Sequence, residues 1–343
     1  MNQAAADAEA GDSSDHARAA AQGANGAQQY LVTVVENGPL ACDTYRLRFH
    51  CPELARQIVP GQFVMVRWIG SKGEGPERGG RSGVASDRTH GHGAYGNGTF
   101  ASDPLLGRPF ALYDTILDSA GQPVGMEVVY LVIGKMTRRL AYCEPGSRLV
   151  LWGPLGNGFS TEPVEHLVMV AGGIGQTPFL ALGRQFTGQR TYGEGRRHVS
   201  PASRVTLCYG VRSAAYLAGV DDFQQAGVEV RISSDDGSVG RHGLVTELLE
   251  EILSEYPSQQ DSPSAASARR VVCCGPEPML RAVAGSAGGH QVPCEVSLET
   301  PMACGIGICF SCVVRVVQSD GDWDYRRTCV EGPVFDARKI VWE

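Results

Sequence analysis

Short apolar runs broken by turn residues mark the first part of the chain. Residues 30–35 (Y-L-V-T-V-V) and 45–49 (Y-R-L-R-F) read as strands, the second alternating polar with apolar. Pro60-Gly61-Gln62 is a turn signal ahead of the apolar run 63–68. Order returns with R-P-F-A-L-Y at 108–113 and a buried strand at 126–133. A short helix then starts at Gly134-Lys135-Met136-Thr137 and ends near Cys143, and a further strand covers 148–151. Strands this short at this spacing predict an antiparallel barrel. The rhythm changes at His166. Apolar strands at 167–171, 204–209, 228–233 and 270–274 alternate with helical patterns at 177–186, 244–253 and 278–284. That alternation predicts a parallel sheet covered by helices on both faces.

The fold class expected is therefore multidomain, β followed by α/β, with a small C-terminal section holding short strands such as 313–317. Boundaries are expected at 30–160 for the barrel, 164–288 for the α/β unit and 289–343 for the last section. Residues 1–29 are Ala, Gly, Gln, Asp and Ser without an apolar core segment, which predicts a disordered tail and not a signal peptide. Residues 70–103 are rich in Gly, Arg, Ser and His without periodicity and read as a mobile insertion between two strands. Its His90 and His92 have no organised companions and are read as solvated. The polar stretches 187–203 and 256–268 read as surface excursions.

Composition narrows the function. A net charge of -7 over 343 residues leaves no basic footprint for nucleic acid. No apolar run reaches the length of a membrane-spanning helix, so no membrane partner is expected. The eleven cysteines are scattered through a large chain, many in apolar runs, which fits free thiols in a reducing cytoplasm better than a disulfide framework.

Three of those cysteines lie in M-A-C-G-I-G-I-C-F-S-C at 302–312. Cys304, Cys309 and Cys312 are spaced C-x4-C-x2-C, with Cys329 farther on. This is the ligand spacing of a plant-type [2Fe–2S] cluster, in which each iron takes two protein thiolates. Gly305, Gly307 and Ser311 let the backbone wrap closely and aim N–H groups at the sulfurs. Zinc is the main rival, although only Cys309 and Cys312 form a knuckle of the usual zinc kind. Buried free thiols are the plainest alternative.

Other motifs are weaker alone. Arg108-Pro109-Phe110 suits pyrophosphate and a flavin ring, or an edge-strand turn with a solvated arginine. Gly172-Gly173-Ile174-Gly175, where a strand hands over to a helix, suits phosphate or a tight structural turn. It is not a full G-x-G-x-x-G, since Pro178 stands at the last glycine. Cys274-Gly275-Pro276 ends another strand at the same face, so the two loops together could flank a nicotinamide; Pro278 also fits an ordinary helix start. Asp235-Asp236-Gly237 reads mostly as turn chemistry.

In sequence order these motifs carry more. R-P-F, G-P-L-G-N-G-F, G-G-I-G-x-T-P, C-G-P-E-P-M and the cysteine loop together resemble the electron-transfer subunits of type B dihydroorotate dehydrogenase. The likeness runs from about residue 30 to 343, and the wider group is the ferredoxin–NADP reductase superfamily. Its most specific parts are E-V-S-L-E-T-P-M-A-C-G-I-G-I-C at 295–309 and C-V-E-G-P-V-F-D-A at 329–337. The resemblance implies an FAD-binding barrel, an NAD-binding α/β domain and a [2Fe–2S] domain, with Cys329 as the fourth ligand. It implies FAD on Arg108, Pro109, Phe110 and Ala111, on Val129, Tyr130 and Leu131, and on Met136 and Thr137. It implies NAD as co-substrate, and the strand-end loops with Gly172, Gly173, Gly175, Cys274, Gly275 and Pro276 are the candidates for its nicotinamide. Three departures stand out: Ala111 replaces a usual serine, Leu131 a common arginine, and Met136 a glycine whose absence is expected to crowd the pyrophosphate. No catalytic constellation for an organic substrate is visible, so the implied role is a relay. An FMN-containing catalytic subunit oxidises dihydroorotate, in a heterotetramer of two of each, and electrons pass through the cluster and FAD to NAD in pyrimidine biosynthesis. The same parts also suit the flavin subunit of a ferredoxin–NAD(P)H oxidoreductase or a sulfhydrogenase; a zinc-binding interaction module is the reading from another class. Arg212 and Ser213 resemble groups that hold a 2′-phosphate, which leaves NAD against NADP open.

Overall fold

The computed structural model describes residues 27–69, 106–195, 199–255 and 268–342. The tail before residue 27, the insertion with His90 and His92, and residues 256–267 lie outside the described residues. The first unit holds β1 (Gln28–Ala41), β2 (Thr44–His50), β3 (Phe63–Trp68), β4 (Arg108–Ala111), β5 (Asp114–Leu117), β6 (Pro123–Leu131) and β7 (Arg148–Leu155). They form one antiparallel sheet in the order β4-β3-β7-β1-β2-β6-β5. Alternation along β2 sends Leu47 and Phe49 inward against Val128 and Tyr130 of β6 and Leu149 and Leu151 of β7. Two helices complete the unit, α1 (Pro52–Gln57) and α2 (Lys135–Ala141). Proline suits the first turn of α1, where its missing N–H costs no bond, and the helix buries Leu54 and Ala55.

The expected barrel is a half-barrel, with β4 and β5 as its edges. Pro109 has no N–H to offer a further ladder, which suits β4 to an edge. Where a closing ladder would run, Phe110 meets Tyr130 edge to face, with ring centroids 5.8 Å apart.

The second unit holds β8 (His166–Gly172), β9 (Arg204–Val211), β10 (Glu229–Ser234), β11 (Arg241–His242), β12 (Arg269–Cys274), β13 (Cys294–Ser297) and β16 (Val334–Asp336). Their order is β11-β10-β9-β8-β12-β13-β16, parallel throughout except for β16. Helix α3 (Phe179–Phe186) and α4 (Val220–Gln225) pack on one face, α5 (Val245–Ser254) and α6 (Glu277–Gly289) on the other. The order reverses about β8, so the glycine turn after it sits at the switch point where ligands of such sheets bind. Because β13 and β16 belong to this sheet, only the cysteine loop and the hairpin β14 (Val313–Val317) with β15 (Trp323–Arg327) stand outside it.

A buried polar joint ties the units together. Asp114 of β5, 3% exposed, accepts from Arg184 of α3, from Arg190 at 2.7 Å and from the Tyr192 hydroxyl at 2.7 Å. Close by, Arg46 of β2 pairs with Asp222 of α4, which also accepts from Tyr113 at 2.8 Å.

Candidate flavin cavity and cluster loop

A cavity of about 780 Å³ opens where the β4 edge, the β6–α2 turn, the end of β12 and the segment after β13 converge. That volume is in the range of cofactor sites. Every residue named from sequence for the flavin lines it, from Arg108 to Ala111, Val129 to Leu131, and Met136 with Thr137. Cys274 lines it too, from the nicotinamide set. Arg108 and Lys135 are the cations in its wall and Glu299 is the carboxylate, so the cavity is cationic on the half-barrel side and acidic on the side of β13.

The residues fit a flavin dinucleotide, with one correction to the sequence reading. Met136 is 2% exposed and packed in the half-barrel core, so its side chain forms floor and does not crowd the space above. Across the cavity from Ala111, Ser297 and Thr300 line the opposite wall, the latter with its hydroxyl bonded to that of Thr328. No cation is brought to Leu131 by its strand neighbours, and Lys135 sits one turn on. Thr137 is held by accepting from Ile133 N and Gly134 N, each at 3.0 Å.

The glycines of the switch point serve packing as much as binding. A Cβ on Gly172 would lie 2.9 Å from Pro276, and one on Gly175 would lie 2.2 Å from the Cys274 carbonyl oxygen. Without side chains there, the 172–175 and 274–276 loops lie directly against each other. Gly173 differs: its φ is +55° and a Cβ would meet nothing within 4 Å, so its backbone faces open space. Asp236 accepts from both the N–H and the hydroxyl of Ser238, which is turn chemistry, while Arg212 is exposed beside it.

The cluster loop lies directly behind the cavity. Met302, Ala303 and Ser311 line its wall, so Cys304 and Cys312 are each next to a lining residue. The four thiols are grouped as two interacting pairs, Cys304 with Cys309 and Cys312 with Cys329. Among the described residues no three ligating side chains surround a single point. Two thiolates per iron is the ligand count of a binuclear cluster. Ser311 donors and Cys304 draw the Cys309 thiol down to about 6. Cys312 is drawn down to about 6 by the Cys329 proton, and Cys329 is pushed up because Cys312 takes the negative charge first.

The loop backbone is built for this wrap. Gly305 and Gly307 have φ of +72° and +83°, and Cβ atoms there would strike Met65 and Val330. The Ile306 N–H donates to Cys304 Sγ at 3.4 Å. The Arg327 guanidinium donates to the Gly307 carbonyl at 3.1 Å while paired with Glu331, and Thr328 N donates to the Cys312 carbonyl at 2.9 Å. Outward, Cys309, Ile308 and Phe310 are exposed, the last two by 74% and 60%.

Two residues of the site were missed from sequence. Glu299 is open to the cavity, yet desolvation by the walls around it raises its pKa, and its charge, second to burial, helps raise Cys274. Its place directly after β13, in the segment leading to the cysteines, was the available signal. Trp152 gave no signal, standing just past the strand expected at 148–151; its indole Nε1 donates to the Cys304 carbonyl at 2.9 Å.

Half-barrel, doubly wound sheet and cysteine loop together define a reductase of the ferredoxin–NADP reductase fold with an iron–sulfur extension. The fold matches an NADH-dependent reduced ferredoxin–NADP oxidoreductase with a TM-score of 0.65 at 24% identity, over 91% of this chain and 90% of that one. It also matches the cytochrome b5 reductase domain of Ulva prolifera nitrate reductase with a TM-score of 0.51 at 15% identity, over 77% and 93%. Residues 299–341 match the iron-sulfur cluster binding domain of dihydroorotate dehydrogenase B. The chain is 32% identical over 306 residues to the dihydroorotate dehydrogenase B (NAD(+)) electron transfer subunit of Desulforamulus reducens, covering 89% of this chain and 95% of that one. The equivalent protein of Caldanaerobacter subterraneus subsp. tengcongensis is also 32% identical, over 90% and 97%. The chain belongs to the family of dihydroorotate dehydrogenase B electron transfer subunits. It is an oxidoreductase component, and the cofactors that go with its fold and cluster domain are FAD and a [2Fe–2S] cluster.

Proposed function

We propose that this chain passes electrons from an FMN-bearing dihydroorotate dehydrogenase catalytic subunit through a [2Fe–2S] cluster to FAD and then to NAD. The observation that carries the reading is adjacency: residues flanking Cys304 and Cys312 form the wall of the cavity that all the flavin residues line. A flavin exchanges electrons one at a time with an iron–sulfur cluster and as a hydride with nicotinamide. The chain's own residues do the rest. Cys304, Cys309, Cys312 and Cys329 hold the cluster; Arg108, with Lys135 nearby, holds the pyrophosphate; Phe110, Tyr130 and Val129 wall the ring. Glu299 presents its carboxyl to the same cavity, where desolvation by the surrounding walls shifts it towards the neutral form. Gly172, Gly173, Gly175, Cys274, Gly275 and Pro276 frame the nicotinamide approach.

The exposed Ile308 and Phe310 beside the exposed Cys309 support docking of the catalytic subunit over the cluster loop, in a heterotetramer of two of each chain. None of the eleven cysteines is in a disulfide, which favours a reducing, cytoplasmic setting. Among the described residues no helix is long and apolar enough to cross a membrane.

The test is co-expression with the catalytic subunit and anaerobic purification. Flavin and iron–sulfur bands with NAD reduction by dihydroorotate, lost in Cys309→Ser, are expected. Both sets of bands without that turnover would hand the role to a ferredoxin-type reductase.

A further inference from the structure

Trp152 stands between the two cofactor sites and belongs to neither set of ligands. It lies on β7 opposite Met65 of β3, in the small apolar cluster that also contains Leu155, Cys312, Cys329 and Val330. One side of its indole meets Gly107, the residue before the flavin strand β4. A Cβ at Gly107 would come within 2.4 Å of the ring, so the tryptophan fits only because that residue is glycine. From the other side the cluster loop rests on the same patch: Gly305 is seated on Met65, and the indole Nε1 donates to the Cys304 carbonyl at 2.9 Å. One polar tie and one apolar seat, on paired residues of adjacent strands, therefore fix the first ligand segment to the half-barrel.

We propose that Trp152 is a positioning residue for electron transfer, which sets the reduction potential and retention of the cluster by holding the Cys304 backbone against the flavin strand. The proposal rests on the cluster reading above. A ligand cysteine's carbonyl next to the metal is an electron-rich dipole. An N–H donor on that oxygen offsets it and so favours the reduced, more negative state of the cluster. The same bond restrains the segment that presents Cys304, so its loss exposes that sulfur to exchange.

The test uses the complete chain with its catalytic partner and compares wild type with Trp152→Phe, which keeps an aromatic ring and lacks the donor. The midpoint potential of the cluster, followed by its EPR signal, is expected to fall. Cluster loss to a chelator is expected to quicken about five- to tenfold, the weight of one hydrogen bond. FAD content stays at the wild-type level. Gly107→Ala supplies a second route, since its methyl group pushes the indole away from the opposite side, and it is expected to move both readouts in the same direction. A wild-type potential and loss rate in Trp152→Phe overturn the proposal. Should that variant fail to fold, unchanged readouts in Gly107→Ala overturn it instead. Absence of any cluster from the wild-type chain would sink the cluster reading itself, a result distinct from either.

Discussion

Replacing Gly305 with alanine isolates the cluster loop from the rest of the fold. The residue has φ +72°, where an L-residue with a Cβ costs about 1–2 kcal/mol. The new methyl group would also stand 2.5 Å from Met65 Cγ and 3.2 Å from Leu155 Cδ1, both buried. Neither neighbour can swing into solvent, so overpacking adds about 1–3 kcal/mol. The sum, about 2–5 kcal/mol, falls on one loop and not on the global core, because both sheets are complete without it. At about 1.4 kcal/mol per decade, the ligand-competent loop becomes roughly 30- to several thousandfold rarer. The assay is iron and acid-labile sulfide per chain after anaerobic purification, with FAD per chain as the internal standard. Iron should fall to a small fraction while flavin holds. Gly285→Ala is the control: it lies in α6 with nothing within 4 Å of a new Cβ, and alanine suits a helix better than glycine. Full iron content in Gly305→Ala would falsify the claim that the loop is seated on Met65.

Other expectations are shorter. Asp114→Asn strips the charge from a carboxylate that serves two arginines and a buried tyrosine, and should lower stability to urea by about 3–5 kcal/mol; a loss below 1 kcal/mol would mean the joint is not a charged one. His166 is buried and held down to about 4, against 6.5 when unfolded, so the folded state resists its proton. Stability it contributes is present above pH 6.5 and lost as pH falls towards 4, by about 3 kcal/mol, and denaturation at pH 4.5 and 7.5 should show His166→Gln to be flatter. Glu299 is shifted the opposite way: the fold favours its neutral form, so stability declines as pH rises through its folded pKa. Glu299→Gln should remove that decline in the flavin-free chain and flatten the pH dependence of the flavin potential in the loaded one; a parallel pH profile would deny it a proton-holding role.

The elements that sequence made visible are those whose pattern is local. The run 63–68 and the hairpin strand 313–317 appear with the same bounds in the structure, because each is a short apolar stretch bounded by turn residues. The cysteine loop was legible for a chemical reason: ligand spacing is a property of the chain, and the glycines that permit the wrap stand inside it. What sequence left out is non-local. The four-residue strand β5 and the helix α4 have little pattern of their own, and are held by Asp114 and Asp222 to partners some 70 and 176 residues away. Met136 illustrates the same limit from the site's side. Its position in the motif is visible, yet whether its side chain enters the cavity or the core depends on packing with α2.

Ser311 shows how little separates the two sites. Its hydroxyl accepts from the Ala303 N–H at 3.2 Å and meets Cys309 Sγ at 3.1 Å, and the same residue lines the flavin cavity. Ala303, its partner, lines the cavity as well and precedes Cys304. The cluster loop is therefore closed by a bond between two residues of the cavity wall, and nothing that deforms that wall can leave the ligand geometry untouched. The converse constraint runs through Trp152 to Gly107 and the start of β4. The half-barrel and the parallel sheet are themselves tied by ion pairs at Asp114 and Asp222. Under the proposed relay, the open sides are the ones left for partners: Gly173, whose backbone faces open space, for nicotinamide, and the exposed Ile308 and Phe310 for the catalytic subunit.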